Sequence, residues 1–155
     1  MADVTLRPAR PSDAMAVAAI WLPGWRTGHL GNVPDALAAV RTPESFDVRA
    51  AERVGDTTLA CVGDEVAGFV MVVDDEVEQV YVAAAHRGSG IAATLLAEAE
   101  RLVARNGHTT AWLAVVAGNT RARRFYERSG WTDAGLFDHA AGGVSVPAHR
   151  YVKNV

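Results

Sequence analysis

Apolar and polar positions alternate over Val4-Thr5-Leu6-Arg7, which predicts a short strand closed by Pro8 and Pro11. Residues 14–22 are apolar throughout and predict a helix, with Ser12 or Asp13 as N-cap and Pro23-Gly24 ending the run. Residues 25–43 show no clear period and read as loop or short helix anchored by Trp25, His29 and Leu30; residues 44–54 read as helix, stopped by Gly55-Asp56. A β-branched block follows, with strands over residues 57–62, 66–73 and 76–82 separated by Gly63-Asp64 and Asp74-Asp75. Strict alternation in the third of these puts Glu76, Glu78, Val80 and Val82 on one face and Val77, Gln79 and Tyr81 on the other. Residues 89–105 carry Ile91, Leu95, Ala99, Leu102 and Val103 at helical spacing. Asn106-Gly107 caps that helix, and Arg101 and Arg105 sit favourably against its dipole. Residues 111–116 form an uninterrupted apolar run, expected of a central strand covered on both faces. Asn119 opens and Gly130 closes a last helix over residues 120–129, and the tail around Gly142-Gly143 reads as one or two further strands. Strands first, then strand–helix–strand–helix, predict a mixed α+β sheet.

The length of 155 residues predicts one domain spanning 1–155. An apolar fraction of 50% with a net charge of only -3 excludes disorder. A single cysteine excludes an internal disulfide framework, and Cys61, inside an apolar strand, reads as packing. The longest apolar stretch falls well short of the roughly 18 residues that span a bilayer, and Met-Ala-Asp-Val lacks a leader's basic start. A soluble cytoplasmic protein without membrane partner is the expectation. A pI near 5.9 offers no basic field for nucleic acid. The five histidines show no ligand spacing, so no metal is expected.

The densest chemistry lies at Val80-Tyr81-Val82-Ala83-Ala84-Ala85-His86-Arg87-Gly88-Ser89-Gly90-Ile91-Ala92, a strand, a small-residue loop and a helix start. Gly88 and Gly90 let a ligand approach the backbone, the free amides at the helix start favour an anion, and Arg87 adds donors. Arg87, Gly88, Ser89, Gly90, Ile91 and Ala92 are therefore candidates to hold a phosphate or pyrophosphate. In one frame, Gly88-x-Gly90-x-x-Ala93 satisfies the dinucleotide fingerprint. That fingerprint also needs an acid about 20 residues onward, and none lies between Glu100 and Glu127. A nicotinamide or flavin cofactor is thereby disfavoured; a tight turn that merely needs glycine is the structural alternative.

In the other frame, Arg87-x-x-Gly90-x-Ala92 resembles the (Gln/Arg)-x-x-Gly-x-(Gly/Ala) signature of the GNAT N-acetyltransferase superfamily. Asn119-Thr120-Arg121-Ala122-Arg123-Arg124-Phe125-Tyr126-Glu127-Arg128-Ser129-Gly130-Trp131 is similar to that family's later block, Asn-x-x-Ala-x-x-Phe-Tyr-x-x-x-Gly-Phe. Leu6-Arg7-Pro8-Ala9 with Asp13 has the look of its opening. The resemblance covers essentially the whole chain, specifically over residues 76–131 and weakly over 25–53. It implies a GNAT fold: a mixed, mostly antiparallel sheet flanked by helices, with a V-shaped gap beside Val82. It also implies acetyl-coenzyme A as co-substrate, a primary amine of a small molecule or peptide as acceptor, and direct attack in a ternary complex. Homodimers are common among such proteins. An acyl group other than acetyl stays open, as does the acceptor's identity.

An alkylammonium, with a pKa near 10, needs a base before it can attack. Glu76 lies eleven residues before Arg87, a spacing similar to that of the glutamate base in histone-type members; Glu78 remains a second candidate. Either could instead be a solvated strand carboxylate or the partner of a neighbouring arginine. The resemblance implies that Val80 and Val82 flank the thioester, with an N–H at Val82 or a neighbour meeting the developing oxyanion. It implies that Tyr126 protonates the departing thiolate, and that Asn119 contacts the pantetheine arm or caps its helix. Arg121, Arg124 and Arg128, with Arg123 beside them, read as a solvated helix face, or else Arg123 or Arg124 approaches the adenosine phosphate. Trp25 is a candidate for the acceptor pocket, and the tryptophans otherwise read as core. The alternative reading is a non-catalytic acyl-coenzyme A-binding or sensing module of the same fold, disfavoured by Tyr126 together with the two glutamates.

Overall fold

Seven strands make one sheet in the computed structural model, in the order β1-β2-β3-β4-β5-β7-β6. The structure describes residues 3–155; Met1 and Ala2, part of the opening read above as lacking a leader, lie outside the described residues. In chain order the elements are β1 (Val4–Pro8), α1 (Ala14–His29), α2 (Asp35–Val40), α3 (Pro43–Glu52), β2 (Thr57–Val62), β3 (Glu65–Val73) and β4 (Glu76–Val82). They continue with α4 (Ile91–Arg105), β5 (Thr110–Val116), α5 (Thr120–Arg128), β6 (Thr132–Ala141) and β7 (Val144–Asn154). Every strand pairing is antiparallel except that of β4 with β5, so the fold is the mixed α+β arrangement expected.

Two apolar layers hold the helices to the sheet. On one face, Leu95, Leu96, Ala99 and Val103 of α4 pack against Val70, Val72 and Val77. On the other, Val17, Trp21 and Trp25 of α1 and Phe46 of α3 pack against Leu59, Phe69 and Met71. No described helix is long and apolar enough to cross a membrane.

Pro23-Gly24 does not end the first helix. α1 runs on to His29, because Trp21 and Trp25, 1% and 5% exposed, tie both sides of the proline into the core. Thr27 donates its hydroxyl to the Pro23 carbonyl at 2.9 Å, bridging the turn next to the imino nitrogen. The glycine serves contact instead. A Cβ at Gly24 would lie 2.5 Å from Tyr81 Cδ1, and one at Gly28 would lie 2.7 Å from Asn119 Nδ2. Asp13 precedes this helix without capping it through its side chain. Its carboxylate instead accepts from Arg7 at 2.8 and 3.0 Å and from the Arg10 amide at 2.7 Å.

The alternation expected along β4 is broken by a bulge. Met71 pairs with Gln79 while the next residue, Val72, pairs with Val77, so Glu78 is the extra residue. Val77, Val80 and Val82 consequently share the α4 face, whereas Glu76 falls on the face of Tyr81. On β5 only Ala111, Leu113 and Val115 are fully buried. Trp112, Ala114 and Val116 are half-buried, because that face borders a cleft rather than a second packed layer.

Candidate active site

β4 and β5 share one residue pair, Glu76 with Trp112, and then part. The join is pinned by the Trp112 amide on Asp75 O at 3.0 Å and by Trp112 Nε1 on Asp75 Oδ1 at 3.1 Å. The gap therefore opens from Val77 onward, earlier than beside Val82. On the β3 side, Ala83 donates to Ala67 O at 2.8 Å, which places Tyr81 and Gln79 in the hydrogen-bonded set of the antiparallel ladder. The amides of Val80 and Val82 consequently point the other way, into the gap. Two cavities meet there. One, of about 470 Å³, lies against the loop before α4; the other, of about 490 Å³, lies under α2, α3 and the β6–β7 hairpin. Val80, Tyr81, Asn119, Ala122 and Tyr126 line both.

The loop before α4 is built around two left-handed glycines, Gly88 at φ +77° and Gly90 at φ +84°. A Cβ at either would meet nothing within 4 Å. Among the described residues, no main-chain amide from Gly88 to Ala93 has a hydrogen-bond partner; the first bonded one is Thr94, on Gly90 O at 3.1 Å. Arg87, Gly88, Gly90, Ile91 and Ala92 line the first cavity. Ser89 does not, because its hydroxyl turns back to donate to His86 O. His86 in turn meets Glu65 at 3.2 Å.

The opposite wall comes from α5. Arg121, Phe125 and Arg128 face the cavity together, as residues three and four apart on a helix do. Arg123 points elsewhere: it bonds Tyr151 Oη at 3.2 Å, Ala117 O at 3.3 Å and Asp133 at 3.4 Å. Arg124 is exposed and lines neither cavity. The alternative in which Arg123 or Arg124 approaches a coenzyme phosphate is not what the structure places there: the α5 arginines that line this cavity are Arg121 and Arg128. Asn119 caps α5 by accepting from the Ala122 amide at 3.3 Å, and also stands in the wall of both cavities.

In the second cavity the two glutamates part company. Glu78 is ion-paired to Arg53 at 3.3 Å, and Arg53 also meets Asp56 at 3.5 Å. Glu76 has no ion-pair or hydrogen-bond partner among the described residues, and burial, aided by the negative charges of Glu78 and Asp75, pushes its carboxyl up to about 7. The hydroxyls of Tyr126 and Tyr81 likewise have no hydrogen-bond partner among the described residues, and burial holds both phenols above the usual tyrosine range. Trp25, buried in the core, also stands in this wall, with its ring stacked on His29 at 4.8 Å. Sequence reasoning missed Tyr81, Arg41, Arg49 and Arg53, which line the same space. Nothing in their spacing marks them. Among the described residues no cluster of three His, Cys, Asp or Glu is arranged to hold a metal.

The sequence profile described as the acetyltransferase (GNAT) family matches residues 21–131. Among solved structures, a GCN5-related N-acetyltransferase from Rhodopseudomonas palustris superposes with a TM-score of 0.78 at 20% identity, over 100% of this chain and 98% of that one. The PaiA N-acetyltransferase of Thermoplasma acidophilum, in complex with coenzyme A, gives 0.74 at 16% identity over 99% of each chain. YncA of Salmonella typhimurium, a putative acetyltransferase solved with acetyl-CoA, gives 0.71 at 18% identity over 98% of this chain and 94% of that one. No curated protein sequence matches the chain significantly.

Proposed function

The chain belongs to the acetyltransferase (GNAT) family, and from that premise we propose that it transfers an acetyl group from acetyl-coenzyme A to a primary amine, by direct attack within a ternary complex. The observation that carries this is the breach in the sheet. Unpartnered main-chain donors stand on one side of it, an unpartnered carboxyl with a raised pKa on the other, and Tyr126 borders both. The coenzyme complexes of the PaiA and YncA proteins, which share this fold, support the choice of co-substrate.

Acetyl-coenzyme A supplies an activated acyl thioester. The amides from Gly88 to Ala92 and the guanidinium of Arg87 neutralise its diphosphate at the positive end of α4. Asn119 orients the arm that leads from the diphosphate into the gap. The Val80 and Val82 amides meet the charge that develops on the carbonyl oxygen. On the acceptor side, Glu76 takes the ammonium proton through a water molecule; Glu78, held by Arg53, helps keep the Glu76 pKa high. As nitrogen bonds the acyl carbon, the carbon–sulfur bond breaks and its electron pair leaves on sulfur. The nitrogen sheds its second proton to water as the amide forms, and Tyr126 gives sulfur its own proton and is reprotonated through that water.

Calorimetric titration with coenzyme A, followed by thiol release from acetyl-coenzyme A against a panel of amines, tests this. Binding together with release for at least one amine is expected. Binding with no release for any acceptor would instead support a non-catalytic acyl-coenzyme A module. Stabilisation by NAD(H) and none by coenzyme A would remove both.

A further inference from the structure

Two arginines in the acceptor-side cavity have no ion-paired counter-charge among the described residues. Arg41, at the end of α2, and Arg49, on α3, both line it. Nε of Arg41 and Nη1 of Arg49 are buried without a hydrogen-bond partner. Neither guanidinium has a carboxylate within ion-pairing distance among the described residues, in contrast to Arg53, which meets both Glu78 and Asp56. The Arg49 guanidinium lies 4.2 Å above the Trp21 ring and 5.4 Å from that of Phe46, which fixes its position without neutralising it.

Among the described residues around them, no anion forms an ion pair with either, and Glu78 acts on Arg49 only from a distance. Tyr81 keeps its proton, because burial raises its phenol. His29 shares Nδ1 with the Trp25 carbonyl at 2.9 Å, so Nδ1 carries the hydrogen and Nε2 is left as an acceptor. Burial, reinforced by Arg41 and Arg49, lowers that imidazole to about 4. Glu78 is committed to Arg53. Glu76 lines the same cavity and forms no ion pair with either arginine among the described residues. Buried guanidinium donors without acceptors are costly, and a planar carboxylate fits their forks.

Resting on the transfer reading above, we propose that the acceptor is a primary amine that also carries a carboxylate, held by Arg41 and Arg49 so that its amine faces the gap between β4 and β5. The same two cations repel polyamines and other acceptors without an acidic group.

The test compares thiol release for α-amino acids and ω-amino acids with the primary amide and the decarboxylated amine of each. At least one free acid should exceed its amide by about tenfold or more in kcat/KM, chiefly through KM, since a charge-assisted hydrogen bond is lost in the amide. Arg41→Gln and Arg49→Gln should each bring that ratio toward one, and Arg49→Lys, which keeps the charge without the fork, should retain part of it. Arg41→Gln leaves the contact of Arg49 with Trp21 intact, so it guards against a folding defect in the Arg49 variant; circular dichroism and coenzyme A binding report the fold of each. Amides or plain amines used as well as the acids, or a ratio unchanged in both glutamine variants, would overturn the proposal.

Should no acceptor be turned over, the transfer reading fails and the anion site is read separately, from the His29 imidazole resonance titrated with the same acids. An upward shift of the His29 pKa that is lost in Arg49→Gln supports the site, and no shift for any acid overturns it.

Discussion

Glu76→Gln removes a carboxyl whose ionisation falls within the working pH range. Burial and two acidic neighbours hold it at about 7 instead of the ordinary 4.5. A group at about 7 is ionised to about 9% at pH 6 and about 91% at pH 8, a tenfold change, whereas an ordinary glutamate would change by about 3%. The acceptor amine titrates as well, so the informative quantity is the ratio of wild-type to variant kcat/KM. That ratio should rise about tenfold from pH 6 to pH 8 and then level off, with a loss of roughly 10²–10⁴ at the plateau. Stability should move the opposite way. The folded pKa lies above the unfolded one, so the penalty is absent below about pH 4, builds as pH rises toward 7, and is complete above it. The shift corresponds to about 3 kcal/mol at most, nearer 1–2 kcal/mol once solvent screening of a half-buried group is allowed for. Urea denaturation should therefore find Glu76→Gln more stable than wild type at pH 8 and equal to it near pH 3.5. A flat activity ratio, or an acid limb that survives in Glu76→Gln and vanishes in Glu78→Gln, would refute this assignment of the base.

Tyr126→Phe should lower kcat roughly 100-fold or more while calorimetric coenzyme A affinity stays within about threefold; because burial raises the phenol, wild-type kcat should show no falling limb below pH 10. Gly90→Glu should abolish coenzyme A binding, since it adds a negative charge where the amides converge and a side chain at φ +84°, where left-handed backbone costs about 1–2 kcal/mol; retained affinity would undo the loop assignment. Gly24→Ala drives a Cβ to 2.5 Å from the Tyr81 ring, so it should cost about 1–2 kcal/mol net of the helix-propensity gain, read as a lower urea midpoint. In hydrogen exchange, the amides of Val80, Val82 and residues 88–92 should be fast in the free protein and slow with coenzyme A, while those of Gln79 and Tyr81 stay protected throughout.

The stretch from β4 into α4 was legible because its signals are local. The glycines, the helix start and the apolar period of α4 sit side by side in the chain, and the structure sets them in that order. Other signals were local and misleading. Pro23-Gly24 carries a stop signal, yet Trp25 in the core and the contacts of Gly24 and Gly28 with Tyr81 and Asn119 carry the helix through it. The bulge at Glu78 leaves no mark, since Glu-Val-Glu-Gln-Val-Tyr-Val alternates equally well without it. It decides the site nonetheless, by turning Glu76 to the face of Tyr81. Among the arginines of α5, spacing gave a face but not its direction; the bonds of Arg123 to Tyr151 and Ala117 set that. Arg41 and Arg49 were beyond reach, because what marks them is the absence of a partner in space.

The breach in the sheet and the loop before α4 are two parts of one arrangement of backbone donors. Had β4 and β5 paired along their whole length, the Val80 and Val82 amides would be saturated by β5 and the two cavities would be sealed from each other. Pairing stops after Glu76 and Trp112, and each donor left without a partner away from water costs about 1–3 kcal/mol. The cost is tolerable because the strands on either side are paired over long antiparallel ladders, β3 with β4 and β5 with β7, and because each face of the sheet carries its own apolar layer. The open donors then run from the α4 N-terminus through Val82 to Val80, along the route that a long ligand with an anionic head and a polar reactive end would follow. Tyr126 and Asn119, both from the segment after β5, stand where that route crosses the sheet. A ligand that satisfies the loop amides but stops short of Val80 would leave the gap donors unpaired, so the fold itself favours a molecule long enough to reach from one cavity into the other.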